Sequence, residues 1–186
     1  MRYVSIGLII LFYIFFFLRA LILKNKIGRS IKANDLVLNI AILCAGISSF
    51  LFILQMTVPS FGKYIFTIPH IYYIEIAGTI LIAIGLIFST IASLNLGNSW
   101  RVGVHEQEKT SLVTTGIYKI SRNPYFFFYD IVLIGLSLSS FSMIVTTFSL
   151  ATIILFHLLI LKEEKYLDSV HGDDYKKYKK ETRRYI

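Results

Sequence analysis

The sequence predicts an all-α integral membrane protein of about five transmembrane helices, with a cytoplasmic re-entrant or loop segment and an amphipathic C-terminal helix. Three observations predict it. Of the 186 residues, 55% are apolar, and the mean hydropathy of +0.67 lies far above the globular range. Charged residues fall almost wholly between the apolar runs rather than within them. Most of those runs, at ~1.5 Å per residue, are long enough to cross a hydrocarbon core of ~30 Å.

Residues 2–23 form the first run, broken only by Arg19 near its far end. No small-residue cleavage site of the secretory type follows it, so a retained span is expected. Lys24, Lys26, Arg29 and Lys32 then make a short basic loop. Residues 36–58 form the second span, with Asn39 and Gln55 as polar exceptions, and Pro59 closes it because the residue before proline is pushed out of helical geometry. Residues 61–70 are aromatic and nearly uncharged, as in a segment lying at the lipid interface. Residues 71–94 form the third span, where Gly78 and Gly85 share a face and suit close helix packing.

Two further apolar runs, 125–138 and 143–161, are joined by Ser139-Ser140-Phe141-Ser142, which is too short for anything but an antiparallel hairpin. The first of these is marginal for a full crossing. The charged, tyrosine-rich tail 162–186 continues the helix through Leu167, breaks near Gly172 and resumes from Asp173. No Pro/Gly/Ser-rich linker or repeat divides the chain, so a single membrane domain is the economical reading.

Charge orients this arrangement. With the N-terminus outside, only Arg2 and Lys63 of the 19 lysines and arginines fall in outer segments, and sixteen fall in the first loop, the stretch between spans three and four, and the tail. That bias places the central stretch and the tail in the cytoplasm. The formal charge of +8 does not indicate nucleic acid, because the basic residues flank apolar runs as membrane anchors do and no soluble domain presents a basic face. Cys44 is the sole cysteine and lies inside an apolar run, so no intramolecular disulfide is possible. His70, His105, His157 and His171 have no metal-ligand spacing. His157 lies inside the last span, where an ionisable side chain is costly and tends to serve function.

The chemistry is expected between residues 94 and 129, where Arg101, His105, Glu106, Glu108, Lys109, Lys119 and Arg122 crowd between two apolar runs. Gly97, Trp100 and Arg101 read plainly as a glycine cap with aromatic and basic interfacial anchors. Arg101 is also a planar, permanently charged fork suited to a carboxylate or phosphate. Pro124 suits the first turn of a helix entering the bilayer. Glu163 and Glu164 stand one helical turn past the last span, against a basic background.

The order Gly97-Asn98-Ser99-Trp100-Arg101, Leu112-Val113-Thr114-Thr115-Gly116-Ile117-Tyr118 and Ser121-Arg122-Asn123-Pro124-Tyr125, followed by a hydrophobic hairpin and Glu163-Glu164, resembles the isoprenylcysteine carboxyl methyltransferase family. Its relatives include phospholipid N-methyltransferases, and all are membrane enzymes that use S-adenosylmethionine. The resemblance covers roughly residues 94–182; the first ninety match only as generic membrane helices. It implies two regions, N-terminal transmembrane helices over 1–93 and a methyltransferase-like catalytic region over 94–186, in a bacterial-type inner (plasma) membrane.

The resemblance further implies that Gly116, Tyr118, Asn123, Pro124, Tyr125, Glu163 and Glu164 hold the cofactor, with Arg101, Arg122 and Glu163 as catalytic residues. Asn123 stands where the family has histidine; it can donate and accept hydrogen bonds but cannot titrate. The acidic pair precedes Leu167 and a Gly172-x-x-Tyr175-x-x-Tyr178 segment, as in the family. Leu159 occupies the place of an arginine found four residues before the pair in enzymes acting on prenylcysteine, which leaves Arg101 and Arg122 to orient an anionic acceptor. A lipophilic or prenylated substrate would slip in sideways between spans three and four. The sequence leaves open whether oxygen, nitrogen or sulfur receives the methyl group. Two rival readings are an NADPH-dependent membrane reductase, for which Lys119 is the only obvious spare cation, and a scaffold whose basic loops bind anionic lipid.

Overall fold

The computed structural model describes residues 1–28, 32–58, 60–61, 69–101, 103 and 111–186. Arg29, Pro59, Lys63, most of the interfacial segment 61–70, and His105, Glu106, Glu108 and Lys109 lie outside the described residues.

Five α-helices are described: α1 (Arg2–Ile27), α2 (Leu36–Thr57), α3 (Tyr72–Leu96), α4 (Pro124–Ser140) and α5 (Met143–Glu181). Four are long and apolar enough to cross a membrane, and α4 is the shorter one. Its 17 residues span about 26 Å at ~1.5 Å each, just under the hydrocarbon thickness. The hairpin between α4 and α5 turns on Phe141, the one non-glycine among the described residues with positive φ, at 51°. Ser142 then caps α5 by accepting from the Val145 N–H at 3.4 Å.

The α3–α4 pair forms the most extensive contact and α2–α5 the next. Small residues set the first. A Cβ on Gly135 would lie 2.6 Å from the Gly78 carbonyl oxygen, and one on Gly85 would lie 2.6 Å from that of Phe128, so only glycine lets these backbones meet. The expected lateral route between spans three and four meets close backbone packing at these points, and the rings of Phe88 and Phe128 stack 4.8 Å apart beside them.

Hydroxyl pairs fasten the other helices: Ser5 to Thr79 at 2.8 Å, Tyr13 to Ser49 at 2.8 Å and Ser48 to Ser149 at 2.7 Å. In lipid, where apolar burial between helices drives little, such bonds and close packing supply the association. Large apolar side chains such as Leu11, Phe17, Leu43, Phe50 and Ile154 are left facing outward, as a lipid-facing surface requires.

The tail is more continuous than the sequence suggests. It runs as part of α5 to Glu181, with Gly172 (φ 53°, ψ −121°) as its single non-helical residue. That conformation is strained for any residue with a Cβ, and it bends the last turns back toward the bundle. Among the described residues, Asp35 pairs with Lys162, Gly103 packs near Ala33, and Arg122 bonds the tail at Thr182, so the ends of the first loop, the central stretch and the tail gather together.

Candidate functional site

Local chemistry builds this end. Gly97 closes α3 with φ 53°, and residues Gly97–Ser99 make a short 3-10 turn that delivers Trp100 into the interior, 2% exposed. The chain returns through a second 3-10 turn, Gly116–Lys119. Gly116 takes φ 62° and its hydrogen faces the Asn95 side chain, where a Cβ would collide with Oδ1. The same Oδ1 accepts the Ile117 N–H at 3.0 Å. Pro124 then opens α4 at the first-turn position expected of it.

The tail is tied to this turn by an ion network. Arg122 donates from Nη2 and Nε to Glu164 at 2.9 and 3.2 Å, and from Nη1 to the carbonyls of Thr182 and Lys179 at 2.6 and 3.2 Å. Arg184 donates to the same carboxylate from Nη2 at 2.9 Å, and Asn123 Nδ2 does so at 3.1 Å. Residues 121 and 183 form a parallel bridge, and the Tyr178 hydroxyl donates to the Tyr118 carbonyl at 2.6 Å. The Arg122 and Glu164 side chains are only 7% and 6% exposed. Burial alone would raise the Glu164 pKa, but hydrogen bonds from Arg184 and Arg122 hold it below the usual carboxylate value.

Between this network and the end of α3 lies a cleft. Trp100, Tyr118, Tyr125, Tyr166, Tyr175 and Tyr178 form its aromatic walls, and Arg101, Arg122, Asn123 and Glu163 supply its polar groups. Glu163 differs sharply from its neighbour: no described residue donates a hydrogen bond to it. Burial, and then the adjacent Glu164 charge, push its pKa up to about 7. Tyr118 is held well above its ordinary value by burial and then by Glu163, and Tyr178 is pushed up to about 12, chiefly by burial. Both phenols remain protonated donors. The enclosed volume is ≈ 100 Å³, less than the ~300 Å³ at which small-molecule pockets usually begin.

Of the residues expected from sequence, Arg101, Tyr118, Arg122, Asn123, Tyr125 and Glu163 line the cleft; Gly116, Pro124 and Glu164 do not. Gly116 shapes the turn, Pro124 starts α4, and Glu164 faces the arginines. Arg122 lines the cleft with its guanidinium bonded to Glu164 and to the tail carbonyls of Thr182 and Lys179. Arg101 donates to the Asn98 and Trp100 carbonyls at 2.7 and 3.0 Å while bordering the cleft. His157 lies elsewhere, paired through Nδ1 with the Tyr185 hydroxyl at 2.5 Å.

Tyr166, Tyr175 and Tyr178 were not expected as site residues. The three-residue spacing of the last two, which puts both on one helix face, was the available signal. Arg184 carried none, because its partner lies twenty residues earlier. Among the described residues no group of His, Cys, Asp or Glu could hold a metal ion.

No curated protein sequence matches the chain. Among solved structures, the eukaryotic intramembrane Ras methyltransferase, isoprenylcysteine carboxyl methyltransferase, matches with a TM-score of 0.59 and 22% identity, over 75% of this chain. The chain spans about half of that structure, 49%, and the likeness establishes a shared membrane fold. A family model described as phospholipid methyltransferase matches residues 73–174, more than half the chain. That range takes in α3, the cleft-forming turn, α4 and most of α5, and by it this integral membrane protein belongs to the phospholipid methyltransferase family.

Proposed function

We propose that the protein transfers a methyl group from S-adenosylmethionine to a lipophilic or amphipathic acceptor, at the cleft and on the cytoplasmic face. One observation carries this reading: the aromatic-walled cleft is also lined by Glu163, a carboxyl group to which no described residue donates a hydrogen bond. Aromatic faces attract cations, most strongly when water is excluded, and a nearby carboxylate adds a full opposite charge. The donor set suits a sulfonium with its ammonium group. Its positive charge supplies the carbon electrophile, so the protein needs no covalent catalyst.

The residues then act by positioning. The Trp100 and Tyr125 rings, 6.2 Å apart at 77°, present an edge-to-face wall, and the Tyr118 and Tyr178 hydroxyls remain protonated. Glu163 holds the cationic end, Asn123 offers its amide oxygen to ribose or amine groups, and Arg101 orients an anionic part of the acceptor. In the transfer, the acceptor's lone pair forms the new bond to carbon as the carbon–sulfur bond breaks, and that bonding pair goes to sulfur as the positive charge is lost there. An amine acceptor must also release a proton, which passes to water once the carbon–nitrogen bond has formed.

The test uses purified protein, lipid extract and S-adenosylmethionine labelled in its methyl group, with lipids followed by mass spectrometry. Labelled lipid that depends on active protein is expected. No incorporation, together with no calorimetric binding of the cofactor, sinks the proposal. Binding of NADPH in its place favours the reductase reading.

A further inference from the structure

A second cavity lies on the outer side of α1 and α3, away from the cleft. Phe15, Leu18, Ile22 and Leu94 give it apolar walls, Arg19 and Lys26 line it two helical turns apart, and its volume is ≈ 430 Å³. Helical spacing explains the lining. Phe15, Arg19, Ile22 and Lys26 fall at i, i+4, i+7 and i+11, one face of α1. This gives a groove that is apolar at its Phe15 end and carries two positive charges over its other half.

Arg19 is the unusual member. Its Nη2 donates to the carbonyls of Ser93 and Gly97, at 2.5 and 3.2 Å, which caps the end of α3. No described residue accepts from Nε, and no ion pair among the described residues involves Arg19 or Lys26. The guanidinium carbon stands 5.5 Å from the centre of the Trp100 ring, and that ring also walls the cleft. A cation near the hydrocarbon boundary with no anion of its own is a costly arrangement, and the cost falls if an anion arrives with the lipid.

We infer that this groove binds one anionic membrane phospholipid, with its phosphate between Arg19 and Lys26 and an acyl chain along Leu18 and Phe15. The guanidinium fork suits phosphate oxygens, and Lys26 adds a second charge two turns further along. Neither group would favour the lipid's apolar part alone. The inference goes beyond the proposed reaction and does not depend on it, because the site is separate from the cleft and needs no cofactor.

Trp100 is the sole tryptophan and its ring centre stands 5.5 Å from the Arg19 guanidinium carbon; because the same ring lines the cleft, the change in quenching made by K26Q is what assigns it to the groove. The probes are phosphatidylglycerol, phosphatidylcholine and diacylglycerol, each brominated near the top of its acyl chains, added to the full chain in detergent micelles. Phosphatidylglycerol should quench with half-saturation at least five-fold below phosphatidylcholine, and diacylglycerol should quench least. K26Q should reduce that preference at least three-fold, and R19Q should abolish it. Should R19Q loosen the end of α3, K26Q alone decides the matter. Equal quenching by the two phospholipids, or an unchanged preference in K26Q, overturns the inference. So does displacement of phosphatidylglycerol by inorganic phosphate at matched ionic strength, which would mark the site as one for free phosphate.

Discussion

Along the α3–α4 seam backbone meets backbone, with Gly78 against Gly135 and Gly85 against the carbonyl of Phe128. At the cleft end, the tail is instead held by one carboxylate, Glu164, gripped by Arg122, Arg184 and Asn123. The seam gains from closeness alone and tolerates no added atom. The cleft end depends on charges buried together, and there losing one partner strands another. The first arrangement suits a rigid platform, and the second suits a joint that closes a binding site around residues distant in sequence.

The largest effect should come from breaking that joint. Removing one member of a buried pair leaves an uncompensated charge, at a cost of about 3–5 kcal/mol. Glu164→Ala should therefore release residues 173–186 from the turn while the spans stay folded. Limited proteolysis would cut the tail, and cofactor binding measured by calorimetry would be lost. A protease-resistant tail in that variant would show that the bridge at Ser121 and the Tyr178 bond hold it without the ions. The seam should give less: Gly135→Val forces a methyl group into the Gly78 carbonyl, and overpacking typically costs about 1–3 kcal/mol. A fall in Tm without selective tail cleavage would keep the two regions distinct. Tail release in both variants would merge them.

The same contrast explains what was legible in the sequence. Helices are local, so five apolar runs, the Ser-rich hairpin, Pro124 and the Gly172 break could be read directly and match the helices found. Gly78 and Gly85 announced close packing on α3, though not that α4 would be the partner. The cleft was half legible. Tyr118, Asn123, Tyr125 and Glu163 lie in recognisable motifs, but nothing local says which of two adjacent acids faces the arginines. That choice is set by the rotation of α5 about its axis where it packs against α2 and α4. Arg184 was invisible for the same reason, and Arg122 was read as a free cation because its partners lie 42 to 60 residues away.

Within the cleft the sharper test is pH, because Glu163 and Glu164 differ in the direction of their shifts. Glu163 is raised from 4.5 to about 7, so between those values the folded protein carries a proton that the unfolded chain has lost. Its contribution to stability is therefore full at low pH and falls as pH rises through that window. A cation reverses the preference, since it binds the deprotonated form. Affinity for S-adenosylmethionine should rise as pH increases through about 7. Glu163→Gln should flatten that profile and weaken binding about 10-fold or more, as expected for a charge-assisted bond worth roughly 1.5–3 kcal/mol. A pH dependence that survives the substitution would assign the titration elsewhere.

The smallest effect is expected at Arg101, which belongs to the end of α3 by its bonds and to the cleft by its position. Its Nη1 is held on the Asn98 and Trp100 carbonyls, so the guanidinium plane is oriented before any ligand arrives. A lysine could keep the charge and reach one carbonyl, but it cannot reproduce the planar geometry of the guanidinium. Arg101→Lys should accordingly leave cofactor affinity and Tm nearly unchanged while lowering turnover about 10-fold, equivalent to roughly 1.4 kcal/mol of transition-state stabilisation. Should cofactor affinity fall in step with turnover, Arg101 serves the nucleotide side of the cleft. A loss of Tm with turnover intact would place it with the scaffold, as a cap on α3, and the acceptor would then be oriented by the aromatic walls and Glu163 alone.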